Sequence, residues 1–401
     1  MTRWCRIGVL AALALAVAAT GAQAQGRAAA TKAPAAPAVP QLSEELREVV
    51  ERHPVTVTTR DGKRHVAEII VTHFRPAGDG PFPLAVLSHG RGPLAERAKM
   101  GRYRFVAWVK YWVRRGFAVA VPTRVGYGET GQALDPESSG RCQTADYRPV
   151  VTAMVDQIAA TVAAAAAKPW VDATRVVLAG QSYGGFATVV AAGRVPGVVG
   201  AVNFVGGLGG RPDVKPGEPC DGRQVADLAT LAGQRNRVPM LWLYAENDRY
   251  WGDAWPRKWA EAYRAAGGQV NLHIVGPVAD DGHALRWRGF SVWRPLVDSY
   301  LAAVGFPVPR SEGAPPATAF APVEAVDAVP VVQAKGRDGY RSFLEADVPR
   351  AFAIGGQGAW AWRSGPNAAS EALALCGEHA KTACRLYAVD DAVVWPDARE
   401  N

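Results

Sequence analysis

A serine hydroxyl becomes a useful nucleophile only when a positioned base takes its proton and an acid orients that base. One serine in this sequence is framed for that work. Val176-Val-Leu-Ala179 is an apolar run with β-branched residues, which reads as a buried strand, and Gly180-Gln-Ser182-Tyr-Gly184 follows it directly. An Ala- and Val-rich segment suited to a helix comes next. A serine on so sharp a strand-to-helix turn takes strained backbone angles. Gly180 and Gly184 omit the β-carbons that would collide there, so the Ser182 hydroxyl projects into open space. The same turn aims the free amides of a helix N-terminus at the point where an oxyanion would form.

The base and the acid are sought downstream, each past the end of a strand. After Leu241-Trp-Leu-Tyr-Ala245 comes Glu246-Asn-Asp248, and Asp248 is the candidate acid, with Glu246 and Asp253 as rivals. After Leu272-His-Ile-Val275 comes Asp281-Gly282-His283, and His283 is the candidate base. His273, its rival, lies inside a strand, where a packed imidazole is the simpler reading. The oxyanion would be held by the backbone amide of Tyr183 and by a second amide from His89-Gly90-Arg91-Gly92, with Arg91 preferred. Tyr250 and Trp251, directly after Asp248, are candidate substrate contacts, although helix–sheet packing accounts for many such aromatics.

These side chains meet only if strands alternate with helices in a mostly parallel, doubly wound sheet, whose ligand sites lie beyond the carboxyl ends of the strands. The pattern supplies that alternation. Residues 55–59 and 65–74 read as a hairpin turning at Asp61-Gly62. Strands are predicted at 82–88, 118–122, 176–179, 200–204, 238–244 and 270–275, with helices at 102–115, 145–167, 254–266 and 288–304. Ser43 is a candidate N-cap for a short helix over 43–50. The fold class is therefore α/β, with a small α+β accessory domain at the C-terminal end. There, a hairpin at 351–362, a helix at 367–381 and a strand pair at 384–395 are expected.

Residues 1–24 carry Arg3 and Arg6, an apolar run and Ala22-Gln-Ala24, the pattern of a cleavable secretory signal. Residues 25–42 form an Ala/Pro-rich spacer, 43–306 the catalytic domain, 307–330 a Pro/Ala-rich linker and 331–401 the accessory domain. Of five cysteines, Cys5 falls in the signal. The remaining Cys142, Cys220, Cys376 and Cys384 form an even set suited to an oxidising compartment. Proximity in the chain favours Cys376–Cys384, and hence Cys142–Cys220, which would tie two loops at the rim of the site. The formal charge of +8 is scattered and belongs to no nucleic-acid module. Apart from the signal, no run is expected to cross a bilayer.

Residues from about 55 to 305 resemble an α/β-hydrolase, and within that fold the dienelactone hydrolase and prolyl-oligopeptidase-like group. The resemblance rests on His89-Gly90-Arg91-Gly92, Gly126-Tyr127-Gly128, Gly180-Gln-Ser182-Tyr-Gly184-Gly185, Glu246-Asn-Asp248 and Asp281-Gly282-His283. It implies a serine hydrolase acting on a small-molecule ester, less often an amide, without cofactor or metal. Dienelactone hydrolases proper carry cysteine at the nucleophile position, so serine here implies ordinary ester chemistry. Oligopeptidases carry a large propeller, for which the stretch before residue 55 is too short. The expectation is a periplasmic or secreted carboxylesterase, with a serine peptidase or amidase as the nearer alternative. A non-catalytic binding protein on the same fold is the other, and the accessory domain could then make protein or envelope contacts.

Overall fold

The computed structural model describes residues 43–131, 133–306, 313–346, 348–365, 367–380 and 382–396. The signal and spacer expected over 1–42 lie outside the described residues. Residues from Leu42 onward cluster as one compact unit.

The chain opens with β1 (Val49–Thr58), β2 (Arg64–Phe74) and β3 (Phe82–Ser88), then α1 (Leu94–Lys99), α2 (Val106–Arg114) and β4 (Ala118–Thr123). Next come α3 (Arg148–Ala166), β5 (Val171–Gln181), α4 (Tyr183–Ala191), β6 (Val198–Phe204) and α5 (Gly222–Arg235). β7 (Met240–Ala245), α6 (Ala254–Ala265), β8 (Val270–Val275), α7 (Leu285–Arg288) and α8 (Phe290–Ala303) complete the first part. Its eight strands lie in the order β1-β2-β4-β3-β5-β6-β7-β8. β1 and β2 are antiparallel additions at one edge, and every pair from β4 to β8 is parallel. This is the α/β-hydrolase fold. All six residues of β4 and all six of β7 are buried, as strands covered by helices on both faces require.

The second part contains α9 (Ala334–Glu345), β9 (Arg350–Ile354), β10 (Trp360–Ser364), α10 (Ala368–His379), β11 (Arg385–Val389) and β12 (Ala392–Val393). Its four strands run β10-β9-β11-β12, all antiparallel. Alternation sorts the residues of β9. Phe352 and Ile354 join Tyr340 and Phe343 in an aromatic layer, while Ala351 and Ala353 meet Ala372 and Cys376 on the other face. Val323 and Val329, from the Pro/Ala-rich stretch, are buried in the aromatic layer. Cys376–Cys384 and Cys142–Cys220 are both bonded.

Buried charges join the two parts. Arg115, at the end of α2, donates to both carboxylate oxygens of Asp298 on α8 at 2.6 Å and to Asp391, in the β11–β12 turn, at 2.7 Å. Arg350 holds the other Asp391 oxygen at 2.6 Å. Arg294 of α8 donates to the carbonyls of Leu344 and Ala346. Burial alone would raise the Asp391 carboxyl, but the guanidinium groups of Arg115, Arg350 and Arg294 hold it below its ordinary value.

Several expectations need correction. Ser43 caps no helix, because residues 44–47 form a turn, β1 begins at Val49, and the Ser43 amide donates to the Glu48 side chain. The helix expected from 102 begins at Val106, after Phe105 takes a left-handed φ of 48°. α3 is long and apolar enough to cross a bilayer, contrary to the expectation that no such run follows the signal. It is a core helix, however, with 61% of the relevant window buried. Neither α5 nor α9 is predicted from the sequence pattern. Because removing one partner of a buried ion network leaves its cations unpaired, Asp391→Ala should lower unfolding free energy by about 3–5 kcal/mol in urea denaturation. A change near zero would mean the two parts do not depend on this contact.

Candidate active site

Ser182 sits between β5 and α4 with φ 56° and ψ −124°, a conformation strained for any residue with a side chain. The surrounding backbone leaves no alternative. Its amide donates to the Phe204 carbonyl at 3.0 Å, and its carbonyl receives the amides of Phe186 at 3.0 Å and Gly207 at 3.3 Å. A β-carbon at Gly184 would run into the carbonyls of Ser88 and His89, so glycine there lets the turn approach the end of β3.

Asp248 and His283 come together beyond the ends of β7 and β8. His283 Nδ1 lies 3.2 Å from Asp248 Oδ2, and both residues are buried. The other Asp248 oxygen accepts the amides of Tyr250 at 2.7 Å and Trp251 at 3.3 Å, which fixes the carboxylate in one orientation. Asp281 performs the same service for the facing loop, because its Oδ1 accepts the amides of His283 at 2.9 Å and Arg249 at 3.0 Å. Asn247 completes the seam by accepting from the Val278 amide and donating to the Ala279 carbonyl. Asp253, the rival acid, instead starts α6 and pairs with Arg257 at 3.3 Å. His273 remains within β8.

Tyr250 stacks on the His283 ring with centroids 3.7 Å apart, so it backs the imidazole. Trp251 is fully buried, and its indole N–H donates to the Val205 carbonyl at 2.8 Å. It therefore offers no free face to a substrate, contrary to expectation. The rings of Trp251 and His283 meet edge to face at 5.8 Å, and Gly207, bonded to the Ser182 carbonyl, packs directly on Trp251. Ser182 and His283 thus share one rim. The Ser182 hydroxyl and His283 Nε2 have no hydrogen-bond partner among the described residues. In unliganded enzymes that link is commonly long and tightens when substrate binds.

The amides of Tyr183 and Arg91 make no hydrogen bond within the protein among the described residues. The Arg91 loop is held from below. His89 is buried and stacked on Tyr103 at 3.9 Å; its Nδ1 donates to the Gly90 carbonyl, and its Nε2 accepts the Arg124 amide. Burial and the nearby Arg124 charge push its pKa well down, so it stays neutral in this tautomer. Arg124 also donates to the His89 carbonyl at 2.8 Å and pairs with buried Glu137, which accepts from Tyr127 at 2.6 Å. Asp135 clamps both Arg91 and Arg97 in bidentate fashion. Burial works against its charge, but these two partners hold its carboxyl far below the usual range. None of Asp135, Glu137, Tyr103 and Arg97 stands out in the sequence, because each acts only through a partner distant in the chain.

Arg286, three residues after His283, is a further residue the sequence reading missed. Its guanidinium lies over Phe105 at 4.6 Å and Trp108 at 4.9 Å, with no carboxylate partner among the described residues. Burial pushes it down to about 10. Cys142–Cys220 joins the loop before α3 to the loop before α5, and the first turn of α5 is further held to Ala145 by Gln224.

A β-carbon at Gly90 would lie 2.6 Å from Gln181 Oε1 and 3.0 Å from Ser182 Cβ. At Gly92 the nearest atom is 3.9 Å away. Gly90→Ala should therefore slow Ser182 acylation by about 10²- to 10³-fold, the scale of losing one oxyanion donor. Gly92→Ala should leave the rate near the parent value. Equal rates for the two variants in active-site titration would separate this loop from the serine.

The prolyl oligopeptidase family matches residues 103–202, a span that holds Ser182 but neither Asp248 nor His283. No curated protein matches the sequence. Among solved structures, the Pyrococcus horikoshii acylaminoacyl peptidase is 14% identical over 63% of this chain, with TM-score 0.44; the match spans 41% of that protein. The Pyrococcus furiosus esterase PF2001 is 12% identical over 63% of this chain and 90% of its own, with TM-score 0.42. An acetyl xylan esterase from Paenibacillus sp. R4 is 17% identical over 58% of this chain and 83% of its own, with TM-score 0.38. The sheet order is that of the α/β-hydrolase fold, and over residues 103–202 the chain is similar to the prolyl oligopeptidase family.

Proposed function

We propose that the protein is a serine hydrolase that cleaves carboxylic esters through an acyl-enzyme. Ser182 attacks the ester carbonyl while His283 Nε2 takes its proton. Asp248 holds the imidazole with Nδ1 protonated and balances the charge it gains. The tetrahedral oxyanion is received by the Tyr183 and Arg91 amides. His283 then returns the proton to the departing alcohol, and water repeats the sequence to release the acid. The observation that carries this reading is the Asp248–His283 contact at 3.2 Å, on the same rim as a serine held at φ 56°. Two disulfides are consistent with a periplasmic or extracellular setting.

A peptidase or amidase reading is favoured by the prolyl oligopeptidase match across the nucleophile. A fluorophosphonate probe should label the protein covalently, and Ser182→Ala should abolish labelling. Absence of label on the folded parent chain would leave the non-catalytic binding reading. Short p-nitrophenyl esters should be cleaved, and turnover confined to peptide amides would transfer the assignment to the peptidase. Asp248→Asn should lower kcat by roughly 10⁴-fold through the wrong imidazole tautomer, with unchanged circular dichroism.

A further inference from the structure

Three metal-ligating side chains lie together on the first two strands. Glu51 and His53 are two apart on β1, so they share a face, and His73 on β2 pairs with Val49 on that same face. Glu51 Oε2 lies 3.0 Å from His53 Nε2 and 3.6 Å from His73 Nε2, and the three donor atoms all fall within 4.8 Å of one another. Ligands bound tetrahedrally to zinc at about 2.0–2.1 Å stand roughly 3.3–3.5 Å apart, so small side-chain adjustments bring these three into coordination.

His73 supplies the independent sign. It is 1% exposed, and neither ring nitrogen has a hydrogen-bond partner among the described residues. Its ring packs edge-on against Trp170 at 6.2 Å. Buried imidazoles rarely go unpartnered, and a missing ion is one reason they do. The cluster faces no second carboxylate within the group, and Lys168 occupies the other oxygen of Glu51, leaving Oε2 toward the two histidines.

We propose that Glu51, His53 and His73 form a non-catalytic site for a divalent transition metal of the zinc type, with solvent as the fourth ligand. Two imidazoles and one carboxylate suit zinc better than calcium or magnesium. The site lies by Lys168–Trp170, the segment leading into the start of β5, whereas Ser182 follows the end of β5. Its role is to pin the edge strand β1 to its neighbour β2.

The test is Zn²⁺ binding by the untagged full chain, stripped with chelator and titrated in competition with a chromophoric chelator. One equivalent should bind, and the melting temperature should rise with zinc. His53→Ala and Glu51→Gln should each weaken binding at least about tenfold, the least expected for a disturbed metal shell. Lys168→Ala should tighten binding, because an ammonium no longer competes for the carboxylate. Ser182→Ala should bind zinc as the parent does, so the outcome is independent of the ester reading. Less than one equivalent, or binding unchanged in both His53→Ala and Glu51→Gln, overturns the proposal.

Discussion

A guanidinium and a carboxylate shut away from water lie beneath the loop that follows β3, and much of the site is built over them. Arg124 and Glu137 are both fully buried, a placement tolerable only with paired charges and saturated donors. Glu137 takes two Arg124 nitrogens and the Tyr127 hydroxyl, while Arg124 spends its remaining reach on the His89 carbonyl. That last bond fixes the backbone next to Gly90, and Gly90 lies against Ser182. An ion pair with no contact to the reacting atoms thereby sets the distance between two strand ends. Burying it costs desolvation free energy; in return the His89 carbonyl, next to Gly90, is held by a charged donor.

Much of the arrangement was legible in the sequence because its signals are local. The turn at Ser182 announces itself within five residues, through two glycines and a β-branched run. Asp248 and His283, which the structure places 3.2 Å apart, could be singled out because each follows a strand whose apolar pattern is unambiguous. Partner choice across the fold was not legible. Asp135 and Glu137 look like any loop carboxylates until Arg91, Arg97 and Arg124 arrive from other elements. The failures have the same origin. Ser43 has the composition of a cap, but strand pairing of Val49 with His73 claims the segment. Trp251 follows the acid closely enough to suggest a pocket wall, yet a buried carbonyl at Val205 takes its indole. α9 carries two glycines and five charged residues in twelve, which mask its apolar face; α5 had a local signal that was passed over, Asp221, whose side chain caps it by accepting the Arg223 and Gln224 amides.

The loops of the site are restrained from several directions. The Asp281 and Asn247 side chains sew the two loops after β7 and β8 into a single piece, so Asp248 and His283 are carried on one unit. Cys142–Cys220 likewise ties the loop before α3 to the loop before α5. The His283 ring is stacked on Tyr250, meets Trp251 edge to face and is held at Nδ1 by Asp248. Such a site is shaped before substrate arrives and spends little binding energy on closing.

The salt-linked junction between the two sheets has a mechanical corollary. Asp391 receives one guanidinium from each side, and Val323 and Val329 are already packed into the smaller core. Noncovalent contacts thus hold the lobes together alongside covalent continuity. A single backbone scission between the lobes would yield two fragments on a denaturing gel that still migrate as one particle through a sizing column, much as a dovetail holds after the glue has gone.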